Sequence, residues 1–209
     1  MITYIIIAIT SIFSYISFSN RDLFNKYLFD PYLVKHKKQW YRIFSHAFLH
    51  GSWGHLLINM FVLWQFGVFV EYTFTDIFGS LGPIYYLILY LGGVFSASLP
   101  SLQKHGDNPY YTSIGASGAV AAVLFSYILM FPTHTLGFMI VIKIPAIVFG
   151  GLYLWYEKKM ANENVNDGIG HDAHYFGALF GVAATILFKP ELVLNFFNQI
   201  TFALSSWLG

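Results

Sequence analysis

Apolar residues fall in blocks of about twenty, separated by charged or Pro/Gly-rich breaks, and each block of that length predicts a membrane-crossing helix. Residues 1–20 carry no charge and are rich in Ile; lacking the basic start and cleavage site of a signal peptide, they read as a retained first span. A mixed segment follows over 21–50, holding several Lys, Tyr and Phe. It is long for a loop and too aromatic to be simply solvated, so it is expected to fold against the membrane surface. The second span is expected at 53–70, ending at Glu71, and the third at 80–99. The uncharged run 110–142 is too long for one span. Pro132-Thr133-His134-Thr135 cuts it into a fourth helix, starting near Ser113 or Gly115, and a fifth span that reaches Tyr156. Residues 157–168 read as a polar loop, and a sixth span runs over 170–188 until Lys189-Pro190 stops it. The tail, 191–209, mixes Phe, Leu and Trp with Asn, Gln and Ser and reads as an interfacial helix rather than a seventh span. The expected fold is therefore all-α: a bundle of six transmembrane helices over 1–190 with an amphipathic tail.

Composition strengthens this picture. The chain of 209 residues is 56% hydrophobic and only 10% charged, too apolar for one soluble core of its size. A net charge of +1 gives no case for nucleic acid as a partner. With no cysteine there is no disulfide, no thiol nucleophile and no Cys-based metal site.

Polar groups inside spans are costly, so each asks for an explanation. Gly115-Ala116-Ser117-Gly118 opens the fourth helix and puts a hydroxyl at its first turn, beside N–H groups that have no intrahelical partner. An oxyanion could be held there. The same small residues equally suit the close approach of two membrane helices. In the second span His55 and Asn59 stand four apart on one helix face. In the sixth, His174 precedes Gly177 by a turn, with Gly181 four further on. Singly, these are interhelical glue and packing faces. Together they suggest that Gly177 and Gly181 let the sixth helix close on Gly118 and Ala122, bringing His174 within reach of Ser117 as nucleophilic catalysis requires.

The combined motifs resemble the rhomboid family of intramembrane serine proteases. They are Gly-Ala-Ser-Gly opening the fourth helix, His-x-x-x-Asn in the second and Ala-His-x-x-Gly-x-x-x-Gly in the sixth, with Trp40-Tyr41-Arg42 similar to the family's Trp-Arg element. The resemblance implies Ser117 as nucleophile and His174 as general base. It implies an oxyanion hole from His55, Asn59 and the Ser117 N–H, a turn shaped by Gly115, and a charged pair, Arg42 with Glu71, bracing the first loop. It also implies transmembrane proteins as substrates, the lipid bilayer as surroundings and no cofactor. Family members often stack Tyr or Phe on the catalytic histidine one turn after the serine. Ala121 stands at that position here, so Tyr175, Tyr127 or a neighbour is expected to take the role.

No acidic residue is expected in the core to orient the imidazole, and Asp172 should point elsewhere, so a Ser–His dyad is favoured over a triad. Hydrolysis needs water, and the 157–168 loop with the adjoining ends of the fifth and second spans is the expected gate. Two other classes compete. His46, His50, His55, His171 and His174 suggest a metal enzyme, although no His-Glu-x-x-His is present and carboxylates are scarce near them. A non-catalytic rhomboid relative that binds membrane helices is the nearer alternative. Lys and Arg concentrate in the loops after spans one, three and five, which the positive-inside rule would place in the cytoplasm. The resemblance implies the opposite orientation, N-terminus inside, and is preferred because the first loop is a folded element. The expected location is a bacterial inner (plasma) membrane.

Overall fold

The computed structural model describes residues 1–138, 142–163 and 167–208. Helix α1 (Ile2–Ser19) leads into a loop folded as three short helices, α2 (Arg21–Tyr27), α3 (Pro31–Lys37) and α4 (Arg42–Ser45). Helices α5 (Trp53–Val62) and α6 (Val68–Phe78) join through a π-turn at Leu63–Gly67, and α7 (Gly82–His105) follows. Helix α8 (Ser117–Met130) comes next, then strands β1 (Thr135–Phe138) and β2 (Ile142–Pro145), α9 (Ala146–Asn162), α10 (His171–Phe188) and α11 (Glu191–Leu208).

Several expected boundaries move. In the first half of the fifth span β1 and β2 pair antiparallel, with Thr135 opposite Pro145, so the described chain is not purely α-helical; residues 139–141, within that span, lie outside the described residues. Ile and Val crowd this stretch between Pro132 and Pro145, and β-branched residues favour extended backbone. Helix α9 then runs past Tyr156 to Asn162, so most of the expected 157–168 loop that is described is helical. Residues 164–166, within that loop, lie outside the described residues.

Among the described residues, two helical runs are long and apolar enough to cross a membrane: Ile2–Ser19 and Trp53–His105. A third joins them if α10 and α11, bent by 111° at Lys189-Pro190, count as one span. By this measure the expected six spans are not reached. Helix α8 is only 14 residues long, and α9 starts late and carries Glu157, Lys158 and Lys159. The expected second and third spans sit in one helical run, which reverses at Gly79 (φ 60°) and packs Phe78 on Tyr85 with ring centroids 4.3 Å apart.

Helix α8 is the core. Every residue from Gly118 to Met130 is buried, as befits a helix apolar on all sides. It meets α10 backbone to backbone. A Cβ added at Gly177 would strike the Gly118 carbonyl, and one at Gly181 the Ala122 carbonyl. Gly118 in turn leaves no room for a Cβ against Ala97 of α7. Among the described residues a single hydroxyl pair, Ser126 and Thr185 at 2.7 Å, adds polarity to the seam.

Helix α1 is attached differently. It buries Thr3, Thr10, Ser14 and Ser17 at helical spacing while Ile5, Ile9, Ile12 and Ile16 are exposed. That is an inside-out pattern suited to lipid, in which Thr3 and Ser14 find partners inward while Ser17 Oγ donates to Ser14 O of its own helix. Glu71 of α6 accepts from the Ile2 N–H (2.6 Å), the Thr3 N–H (2.9 Å) and Thr3 Oγ1 (2.7 Å). A carboxylate thus closes the positive end of α1.

Candidate active site

Ser117 is the first residue of α8, half-buried, with the N–H groups of its turn lacking carbonyls behind them. The chain reaches it through Gly115 at φ 116°, a conformation that L side chains rarely adopt. A Cβ there would lie 2.8 Å from His55 Cε1 and 3.1 Å from His55 Nε2, and 3.9 Å from Ser117 Oγ. Bare backbone at 115 therefore lets the His55 ring approach the serine.

The first loop holds this turn in place. Gly115 N–H donates to His46 O at 3.0 Å, and Ser113 and Phe29 exchange both backbone hydrogen bonds at 3.0 Å. Lys35 and His36 of α3 grip Asp107 at 2.5 and 2.9 Å in the loop before the serine, and they hold its carboxyl below the usual range. Burial lowers His46 to about 4, and burial with the nearby His55 and His46 lowers His50 to about 3. Both are therefore neutral near pH 7. Ser14 Oγ donates to Phe48 O and so accepts from His50 Nδ1, which sets the His50 ring edge-on to His55 with centroids 4.8 Å apart. The His55 ring is thereby backed by an oriented neighbour.

His174 stands on α10 directly after Ala173, whose carbonyl lies 3.2 Å from a Cβ built at Gly118. The glycine seam thus brings the two backbones together beside Ser117 and His174. Among the described residues Ser117 Oγ has no hydrogen-bond partner, and no Ser117–His174 hydrogen bond is formed. Asn59 is buried, and its Nδ2 donates to His55 O one turn back at 2.9 Å. Its described bond thus stays within its own helix, unlike interhelical glue.

The Arg42–Glu71 pair is a correction. Arg42 donates to Gln39 Oε1 and to the carbonyls of Asn25 and Leu28, at 2.6, 3.0 and 2.7 Å. Glu71 is occupied by the start of α1. Each charge serves a helix terminus, Arg42 at the carbonyl end of α2 and Glu71 at the N–H end of α1, where the backbone partial charges match it.

Two residues of α9 escaped the sequence reading. Glu157 is buried, contrary to the expectation of no acid in the core, and its Oε1 lies 3.1 Å from His174 Nδ1. Its Oε2 lies 2.6 Å from His171 Nδ1, and His171 Nε2 lies 3.2 Å from Asp167 Oδ2. One turn earlier, Tyr153 stacks on His174 with centroids 6.4 Å apart and 27° between planes. Neither expected substitute for the missing aromatic is there: Tyr175 faces Phe176, and Tyr127 bonds His134. The i, i+4 spacing of Tyr153 and Glu157 was the available signal, hidden because a glutamate ending an apolar run reads as a boundary. Among the described residues, no three His, Asp or Glu are placed to share a metal ion.

Residues 37–191 match the family model described as Rhomboid domain. The chain is 34% identical over 167 residues to zebrafish (Danio rerio) "Presenilin-associated rhomboid-like protein A, mitochondrial", covering 74% of this chain and 40% of that protein. It is 29% identical over 157 residues to "RHOMBOID-like protein 12, mitochondrial" of Arabidopsis thaliana, covering 68% and 44%. To "Rhomboid protein 1, mitochondrial" of Saccharomyces cerevisiae it is 29% identical over 150 residues, covering 67% and 39%. The matches span less than half the length of these relatives. All three are mitochondrial by name, which overturns the expectation of a bacterial inner membrane.

Proposed function

This chain belongs to the rhomboid family, and we propose that it is an intramembrane serine protease that cuts transmembrane segments of other proteins. The observation that carries the reading is the glycine seam: Gly177 and Gly181 seat α10 on the carbonyls of Gly118 and Ala122, beside a serine that heads α8. In this mechanism neutral His174 takes the proton of Ser117 as the hydroxyl attacks the substrate carbonyl. The oxyanion that forms is met by the Ser117 N–H, His55 and Asn59 at the positive end of α8. His174 then returns the proton to the leaving amine, and water entering from the membrane face near Ser117 releases the acyl group by the reverse route. Asn59 Nδ2 spends one proton on His55 O and keeps a second for the oxyanion.

Six membrane crossings fit this reading, with α5–α6 as the second, α7 the third, the short α8 the fourth, α9 the fifth and α10 the sixth. The N-terminus lies on the side opposite the serine. Helix α11, residues 191–208, lies along the bilayer surface against the 1–190 bundle, with Leu192 buried in its core and Leu194, Phe197 and Phe202 exposed toward lipid.

The test is co-expression with single-span model substrates. Ser117→Ala should abolish cleavage with an unchanged melting temperature, and wild-type cleavage by Ser117→Ala would end the protease reading. If the wild-type chain neither cuts nor labels with a fluorophosphonate yet retains single-span proteins, it binds membrane helices without cutting them. Asn59→Ala should lower kcat about a hundredfold, the usual cost of one oxyanion donor. Its melting temperature should barely change, because the described bond is local. A large drop in melting temperature with normal kcat would remove Asn59 from the site.

A further inference from the structure

Glu157 is unexpected in its setting: a carboxylate, 5% exposed, within an apolar bundle and against the histidine assigned as base. Such a group is costly to bury unless paired and hydrogen-bonded. Its two oxygens face two different imidazoles. A carboxylate only accepts, so His174 Nδ1 must carry the proton, and His174 Nε2 is left bare as an acceptor. That is the tautomer needed to take a proton from a serine.

An isolated carboxylate at this distance would also tend to keep His174 protonated, and a protonated imidazole is no base. His171 removes that difficulty. Its Nδ1 meets Glu157 Oε2 and its Nε2 meets Asp167 Oδ2, and against two ionised carboxylates both ring nitrogens donate, which makes the ring a cation. The cation lies against Glu157 at 2.6 Å and offsets its charge, while Asp167, in the loop before α10, secures the cation. Tyr153 stacks on the His174 ring.

We propose that Glu157 is a positioning residue that fixes the Nδ1–H tautomer of His174, and that His171, braced by Asp167, neutralises Glu157 so that His174 rests uncharged. The inference rests on His174 being the base of the proposed protease. It makes the site Ser–His–Glu in geometry, with the acid supplied by α9. It also links Glu157 of α9 to Asp167 before α10 through the His171 ring. Other charged or titratable groups near His174 are His55 on α5 and Asp172 on α10, the latter facing His105 of α7.

Two variants of the full chain in nanodiscs test this, with two readouts. Long-range 1H–15N spectra, assigned by difference from His174→Ala, should show His174 protonated at Nδ1 and bare at Nε2, and Glu157→Gln should mix or reverse that tautomer. In steady state Glu157→Gln should lower kcat about a hundredfold or more with KM nearly unchanged, since the acid-to-amide change at an oriented histidine costs up to about 10⁴. The acid limb of its kcat/KM–pH profile should move to lower pH. His171→Asn should move the same limb to higher pH, because Glu157 is then unneutralised. Should Glu157→Gln fail to fold, His171→Asn carries the test. An unchanged His174 tautomer in Glu157→Gln, or pH limbs moving together in both variants, overturns the proposal. The expected tautomer change in a chain that never cleaves substrate would support the positioning of His174 and instead overturn the protease reading.

Discussion

Helices α10 and α1 both pack into the bundle, yet they are held by opposite means. Between α10 and α8 there is almost nothing but surface: two glycines laid on two carbonyls, with one hydroxyl pair at the far end. Between α1 and the rest there are hydrogen bonds at two levels, Glu71 at its first turn and Phe48 O and His50 at Ser14. Shape contacts fix position to a fraction of an ångström because any added atom collides. Hydrogen-bonded contacts fix attachment but tolerate adjustment, since a hydroxyl rotates to suit. The seam that carries the serine and histidine is the one held by shape. That division is sensible for chemistry, in which distance matters more than adhesion.

The sharpest way to break the contrast is Gly181→Leu. A side chain against the Ala122 carbonyl should push α10 off α8, and a displacement of about 1 Å costs roughly a hundredfold in rate. Loss of cleavage and of fluorophosphonate labelling is expected, and full activity would show that the seam does not set the site. Glu71→Ala should do the reverse. Two N–H groups and a hydroxyl lose their acceptor at the start of α1, so stability should fall by about 2–3 kcal/mol in denaturant titration while turnover per folded molecule changes little. Equal losses of stability and turnover would erase the distinction. The smallest effect is expected from Thr185→Val, which deletes the seam's hydroxyl but keeps its shape. A cost of about 0.6 kcal/mol, the usual worth of such a bond between membrane helices, with unchanged kcat is expected. A loss several times larger would mean that the seam also depends on polarity.

Much of this was legible in the chain. Residues 1–20 and 170–188 predicted α1 and α10 to within a residue or two, because a mostly apolar run ending at Asn or Lys-Pro leaves little choice. The spacing of Gly177 and Gly181 foretold the partners Gly118 and Ala122, since only small residues on both sides allow backbones to touch. The hairpin was not legible. Apolar β-branched residues over 135–145 suit a strand or a buried helix equally, and periodicity cannot separate the two. Glu157 was missed because charge marks the end of a span until a partner elsewhere in the sequence pairs it. His171, fourteen residues on, supplies that partner, and nothing local announces it. The Arg42–Glu71 pairing failed for a related reason: opposite charges attract, but helix ends offer each of them a nearer partner.

One feature of α11 reaches beyond the bundle it closes. Gln199 Nε2 donates to Met130 O at 2.9 Å, tying α11 to the last residue of α8. With 14 residues α8 spans about 20 Å, whereas the hydrocarbon layer is about 30 Å thick. If α11 marks one face of that layer, Ser117 at the other end of α8 lies sunk about 10 Å below the opposite face, a depth equal to roughly seven residues of helix. The short helix acts as a depth gauge. On the proposed protease reading, a substrate would present its scissile bond only after its outermost two turns had unwound, so the ease with which a foreign helix frays at its end becomes a criterion of selection.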